Sequence, residues 1–228
     1  MKSVLVTGGT VRLGAAIAER LRAEGWRVIT SSHRADAGAD IVADLAEPMG
    51  AVKLYSAAMN LLGGNPPDAL VNNAALFTGD DAAIAAVNRE SPKKLTTLMA
   101  GRESGVGAVV NVLDSVILGS LGLGASTLSD SNQTLSDPKR PYLDSKRSLL
   151  AFTRTAAATF AASLRVNAVA PGPVLAPTGV HVKAGATLLD RRPTAEDVAA
   201  AVSFLLGADS VTGAVIPVDA GQHLLEEM

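Results

Sequence analysis

Tyr142 and Lys146, four residues apart in the stretch YLDSK, are the pair in this chain best suited to moving a proton. Four-residue spacing puts both side chains on one face of a helix. An ammonium beside a phenol stabilises the phenolate, so the sequence predicts a Tyr142 hydroxyl whose pKa falls towards neutrality. Such a group exchanges a proton with a reacting substrate. Taken alone, the same two residues also fit an ordinary helix-surface contact. Asp114, in NVLDS, follows a short β-branched run. That places its carboxyl at the carboxyl end of a strand, where open α/β sheets bind ligands. Its plainer alternative is a helix N-cap or turn residue, with the adjacent Ser115 as the active group.

A second group of residues has the chemistry of an anion site. The stretch TGGTVRLG, residues 7–14, follows an apolar run and opens an alanine-rich segment. Gly8, Gly9 and Gly14 flank the start of a helix, whose N–H groups and dipole attract a phosphate. The spacing only approximates the GxGxxG fingerprint, and a ligand-free turn is the alternative. The next strand ends in Ser31-Ser32-His33-Arg34. A site for NAD usually carries an acid there, against the ribose hydroxyls. Two hydroxyls and Arg34 suit a 2′-phosphate instead, and Arg12 adds a second cation beside the phosphates. Together these residues read as a site for NADPH, the alternative being a solvated polar turn.

The elements that hold these groups follow from the apolar pattern. Strand-like runs fall at 3–6, 27–30, 40–42, 69–71, 108–112, 165–168 and 214–218, and helix-like segments near 13–24, 49–62, 82–101, 143–162 and 195–206. Such alternation means parallel strands joined by helices, in a sheet covered on both faces. The 228 residues fit one α/β domain, 1–228. Residues 115–141 form a long Ser-, Gly- and Leu-rich stretch without clear period, an insertion-like loop in an otherwise regular chain. Lys plus Arg number 20 against 22 Asp plus Glu, which argues against a nucleic-acid partner held by bulk charge. There is no cysteine, and His33, His181 and His223 are scattered, so no metal site is predicted. No apolar run is long enough for a membrane helix and no signal peptide opens the chain, so a cytoplasmic protein is expected.

Further motifs then fall in order: NNAA at 72–75, Asn88, YLDSK at 142–146, VNAVAPG at 166–172 and TGAVIPVDAG at 212–221. In this order along the whole chain they resemble the short-chain dehydrogenase/reductase family. The resemblance implies a single Rossmann-type doubly wound parallel sheet, about seven strands in the order 3-2-1-4-5-6-7, with helices on both faces. It also implies a nicotinamide cofactor and hydride transfer. Four features are similar to the pteridine reductase branch, which includes dihydromonapterin and dihydrofolate reductases. Arg12 replaces the family's middle glycine, His33-Arg34 follows the second strand, Phe77 follows the NNA motif, and Asp114 stands where most relatives carry serine.

By the same resemblance, Tyr142, Lys146, Asn88 and Asp114 are the catalytic set. Lys146 would bond the nicotinamide ribose and Asn88 would hold a relay water. Gly8, Arg12, Leu13 and Gly14 would cradle the cofactor's phosphates, and Ser32, His33 and Arg34 would take the 2′-phosphate. Asp44 and Leu45 would meet the adenine, while Asn72, Asn73 and Ala74 would line the cofactor channel. Pro171 and Gly172 would pass the nicotinamide, with Thr178 as a weaker contact. On the substrate side, Arg12 would reach over a polar ring and Phe77 would stack on it, unless Phe77 is ordinary core. Asp114 beside Tyr142 would bind an aminopyrimidine through two hydrogen bonds or feed a proton to a ring nitrogen. His181, Lys183, Arg191 and Arg192 would offer cations to an acidic tail, or are simply solvated. The expected assembly is a homotetramer, or a homodimer, built on the segments near 82–101 and 143–162, the latter with small residues at Ser145, Ser148, Ala156 and Ala157.

Two departures stand out. The interval from Asp114 to Tyr142 is longer than the family's, and Ala220 replaces a usual glycine, a modest change by sequence alone. The expected activity is NADPH-dependent reduction of a pterin-like heterocycle, a small-molecule substrate. The alternatives are a generic carbonyl reductase and a non-catalytic dinucleotide sensor. Intact Tyr142, Lys146 and Asn88 argue against the sensor.

Overall fold

A computed structural model describes residues 1–103, 105–119, 139–174 and 187–227. Seven strands form one sheet: β1 (Ser3–Thr7), β2 (Arg27–Ser32), β3 (Ile41–Val42), β4 (Ala69–Asn72), β5 (Gly107–Val112), β6 (Leu164–Pro171) and β7 (Val215–Val218). Their order is β3-β2-β1-β4-β5-β6-β7, and every pairing is parallel. Strand period puts alternate residues on opposite faces. Val4 and Val6 join a core beneath α1 (Arg12–Ala23) and α7 (Ala195–Gly207). Leu5, between them, joins the opposite core beneath α2 (Gly50–Leu61), α4 (Ser91–Ala100) and α6 (Arg140–Thr159). Both faces are therefore apolar, which is why the strands are continuously hydrophobic.

Parallel pairing sends every strand's carboxyl end to the same edge. Thr7, Ser32, Asn72, Val112 and Pro171 all end there, so residues far apart in sequence converge. Residues 33–40 hold only a 3-10 turn, Ala35–Ala37, which fits the short space between β2 and β3. The helix-like segment at 82–101 is three pieces: α3 (Asp81–Ala85), a π-helical turn (Ala86–Glu90) and α4. Pro92 explains the break, because it has no N–H to give the Asn88 carbonyl one α-turn earlier. The segment placed near 143–162 begins earlier, at Arg140, so Tyr142 sits in its first turn. After β5 a short helix, α5 (Val116–Gly119), begins the long stretch, and 120–138 lie outside the described residues.

The small residues expected to form a subunit face on α6 are corrected by burial. Ser145, Ala156 and Ala157 face the chain's own core. They permit close approach of α6 to the sheet rather than to another molecule. Among the described residues, no helix is long and apolar enough to cross a membrane. No group of three or more His, Cys, Asp or Glu among them could hold a metal ion.

Among the described residues, two that are not glycine have left-handed backbone, Arg12 at φ 52° and Ala220 at φ 56°. In both places the family resemblance expects glycine. The Ala220 change is therefore more than modest, since a Cβ in this region costs roughly 1–2 kcal/mol. Glycine recovers most of that and loses some through its freer unfolded chain, leaving a gain of about 1 kcal/mol. Ala220→Gly and Arg12→Gly are each expected to raise the melting temperature by about 2–4 °C. Thermal melts of the cofactor-free variants check this, and unchanged or lowered values for both contradict it.

Candidate active site

A cavity of about 650 Å³ opens at the carboxyl edge of the sheet. The loop after β1 forms one end. Thr7 Oγ1 accepts the backbone N–H groups of Asn73 and Ala74, each at 3.0 Å, and locks β1 to β4. The Asn73 amide donates to the Thr7 and Gly8 carbonyls at 3.0 and 3.1 Å. The loop is thus held from behind, with its open side to the cavity. A Cβ on Gly14 would lie 2.0 Å from the Gly8 carbonyl oxygen, so only glycine lets α1 begin this close. No side chain caps the first turn of α1, and its N–H groups are available to an anion. A dinucleotide's diphosphate fits this cradle.

Around it the cavity brings together Arg12, Leu13, Ser32, His33, Arg34, Asp44, Leu45 and Ala74, as the sequence placed them. Arg12 is exposed, and among the described residues no carboxylate pairs with it. It lines the cavity and carries the strained backbone described above. Arg34 is not free. Its Nε and Nη2 donate to the Asp36 carboxylate at 3.0 and 2.7 Å. The pair holds Asp36 below the usual carboxylate range and raises Arg34. Asp36 carried no signal in the sequence beyond its proximity. Both partners are solvent-exposed, and such pairs are worth only about 0–1 kcal/mol. Ser32 Oγ accepts the Arg34 N–H at 3.1 Å, which shapes the same turn. Asp44 lines the cavity while its Oδ1 accepts the Ala46 N–H at 2.8 Å, so the turn role and the site role coexist.

Asn72 is a correction. It is buried away from the cavity, where its Nδ2 donates to Asn111 Oδ1 at 2.8 Å. Asn111 Nδ2 in turn donates to Thr153 Oγ1 at 2.9 Å. Strand alternation turns Asn72 into this polar seam between sheet and helices and leaves Asn73 for the cavity.

At the other end stand Tyr142, Lys146 and Asp114, with Pro171 and Gly172 alongside. The Tyr142 hydroxyl donates to Asp114 Oδ2 at 2.8 Å. Asp114 Oδ1 accepts the Val116 N–H at 3.1 Å, so this residue is both turn-former and Tyr142 partner. Ser115 is buried, does not line the cavity and has no hydrogen-bond partner for its Oγ among the described residues. Lys146 Nζ donates to the Val112 carbonyl at 2.8 Å and lies 5.7 Å from the Tyr142 ring centroid. The expected lowering of the Tyr142 pKa is overturned. Burial raises it, and the neighbouring Asp114 charge and hydrogen bond raise it further. Proximity to lysine does not suffice when lysine bonds a carbonyl and a carboxylate faces the phenol. Burial pushes Lys146 down to about 8, with Asp114 opposing.

Asn88 and Phe77 flank this centre. Asn88 is fully buried, its Oδ1 accepting the Leu76 N–H and its Nδ2 donating to the Leu76 carbonyl, both at 2.8 Å. Its side chain clamps a backbone and does not line the cavity. Phe77 is 51% exposed, so it is not core. Its ring centroid lies 4.8 Å from that of Tyr142, tilted by 59°. Thr178, His181 and Lys183 lie outside the described residues. Arg191 bonds Asp197 at 3.0 Å, and neither Arg191 nor Arg192 lines this cavity. Thr7 and Ser145 organise the site and were missed as such. Their signals were their places inside TGGTVRLG and YLDSK.

Lys146 predicts a pH-dependent stability. Its folded pKa of about 8 lies below its ordinary 10.5, so protonation favours the unfolded chain. The penalty is full below about 8 and fades as pH rises towards 10.5. Lys146→Met removes it, for a gain on the order of 1–3 kcal/mol at neutral pH that shrinks as pH rises through 8. Chemical denaturation of both cofactor-free chains across this range checks the sign. A difference independent of pH contradicts it.

Residues 11–223 match the family model described as Enoyl-(Acyl carrier protein) reductase. The chain is similar to a protein named as ketoacyl reductase 2 of the granaticin polyketide synthase from Streptomyces violaceoruber, 34% identical over 97% of this chain and 96% of the relative. Among solved structures it resembles FolM alternative dihydrofolate reductase 1 from Brucella canis, complexed with NADP. That likeness has a TM-score of 0.80 and 30% identity, over 98% of this chain and 94% of the other. It also resembles a blue fluorescent protein from a metagenomic library in complex with NADPH, with a TM-score of 0.79 and 27% identity, over 96% and 97%.

Proposed function

We propose that this chain, which belongs to the short-chain dehydrogenase/reductase family of oxidoreductases, is an NADPH-dependent reductase of pterin-like heterocycles. The observation that carries the substrate class is the hydrogen bond from Tyr142 to Asp114 at the cavity wall. A carboxylate in that place accepts N–H donors of an aminopyrimidine ring, which a serine does less well. Phe77 adds an exposed aromatic ring against Tyr142, and Arg12 adds a cation to the lining of the same cavity. The likeness to a dihydrofolate reductase of the FolM type supports the same reading. Cofactor choice is supported by Ser32 and Arg34 and by the absence of an acid at the end of β2, with NADP and NADPH bound to similar structures.

Gly8, Gly14 and Arg12 would hold the diphosphate, Ser32, His33 and Arg34 the 2′-phosphate, and Lys146 the nicotinamide ribose. When bound, the cofactor supplies a hydride. Reducing a C=N bond also adds one proton to nitrogen. Tyr142 and Asp114 share that proton at 2.8 Å. Burial keeps the tyrosine protonated at neutral pH, so its proton is present for transfer to the more basic reduced nitrogen. Asp114 orients the ring, and a solvent proton replaces the one delivered.

The ketoacyl reductase likeness favours a second reading, reduction of a plain carbonyl by Tyr142 alone. Asp114→Ser separates the two. On a dihydropterin it is expected to lower turnover by roughly 10²–10⁴-fold, while NADPH affinity, read by fluorescence titration, holds. Unchanged dihydropterin turnover contradicts the heterocycle reading. The proposal includes assembly as a homotetramer through outward faces of α4 and α6. Analytical ultracentrifugation at micromolar concentration reads this, and monomer alone contradicts it.

A further inference from the structure

We propose that Ser145 is a positioning residue that sets where the Phe77 ring stands against Tyr142, and so which flat substrates fit; this rests on the heterocycle reading above. Ser145 is 2% exposed and does not line the cavity. It acts through a network of four hydrogen bonds. Its Oγ donates to the Tyr142 carbonyl at 2.6 Å and accepts from Asn88 Nδ2 at 3.2 Å. The same Asn88 amide grips both backbone groups of Leu76. Phe77 is the next residue, and its ring lies against Tyr142.

The count of donors makes Ser145 necessary. Asn88 Nδ2 has two N–H groups, one spent on Leu76 and the other on Ser145. Without the serine hydroxyl the second is buried unpaired, and the amide must turn to find a partner. Turning it releases Leu76. Half of the Phe77 surface faces solvent, and its ring rests on Tyr142. Its place is set through its backbone as well. The π-helical turn at Ala86–Glu90 belongs to this device, because it brings Asn88 within reach of Leu76 and Ser145 at once. Ser145 lies three residues after Tyr142 and one before Lys146, so the helix that carries the proton donor also sets the shelf above it.

The test reads the ring directly and needs no substrate. The chain has four phenylalanines, so fluorophenylalanine labelling gives four fluorine resonances, with Phe77 assigned through Phe77→Leu. Tyr142's ring current displaces the Phe77 line. Ser145→Ala is expected to move that line and broaden it, and Ser145→Thr, which keeps the hydroxyl, to leave it in place. Asn88→Ala is expected to move it in the same way; if that variant does not fold, Ser145→Ala decides alone. A Phe77 line unmoved in folded Ser145→Ala overturns the proposal. In turnover, Ser145→Ala is expected to raise KM for a dihydropterin several-fold with kcat nearly held. A loss in kcat at constant KM also overturns it. A moved Phe77 line in a chain that turns over no pterin supports the positioning role while removing the heterocycle reading.

Discussion

The hydrogen bond between the Tyr142 hydroxyl and the Asp114 carboxylate is the interaction on which the site's chemistry depends. It joins the first turn of α6 to the end of β5, and it exists only because a parallel sheet brings both ends to one edge. Burial removes the water that would otherwise solvate a phenolate, and the carboxylate opposes a second negative charge beside it. Lys146 does not reverse this, since its ammonium is held by the Val112 carbonyl and is itself disfavoured by burial. The outcome is a neutral phenol and a carboxylate sharing one proton. A carboxylate so placed can accept adjacent N–H groups.

Everything else about the site is support at increasing distance. Thr7 and Asn73 hold the phosphate loop rigid from behind, so its N–H groups need no rearrangement when an anion arrives. At the far end of the cavity, Arg34 is kept by Asp36 in an exposed pair weak enough to yield to a phosphate. Near Tyr142, Asn88 and Ser145 connect Leu76 to α6. The strain at Arg12 is the complement of this order, a backbone cost carried where a side chain is wanted in the cavity.

Much of this was legible in the sequence. Apolar period located the strands, and the strand order agrees with that implied by the family motifs. Tyr142, Lys146, Asp114 and the residues of the phosphate loop meet in one cavity, as their spacing and strand-end positions suggested. What was not legible depends on direction and partner. Asn72 and Asn73 are neighbours with identical chemistry, and only the pleat decides which one faces the cavity. Ser145, Ala156 and Ala157 suit an outer helix face as well as an inner one until the helix is docked. The Tyr142 pKa was misjudged because spacing brings lysine near but does not say that its ammonium bonds a carbonyl. Pro92, as the cause of a π-helical turn, takes its meaning from Asn88 one α-turn earlier.

The ionisation state of Tyr142 is the most direct test of this account. The chain has two tyrosines, Tyr142 and Tyr55, and burial raises the pKa of both. Ultraviolet absorbance of the phenolate, followed against pH for the wild type and Tyr142→Phe, isolates Tyr142. The account predicts no phenolate from Tyr142 between neutral pH and the ordinary tyrosine value of 10.0, so the two chains titrate alike there. A phenolate band in that interval, present in the wild type and missing from Tyr142→Phe, would contradict it.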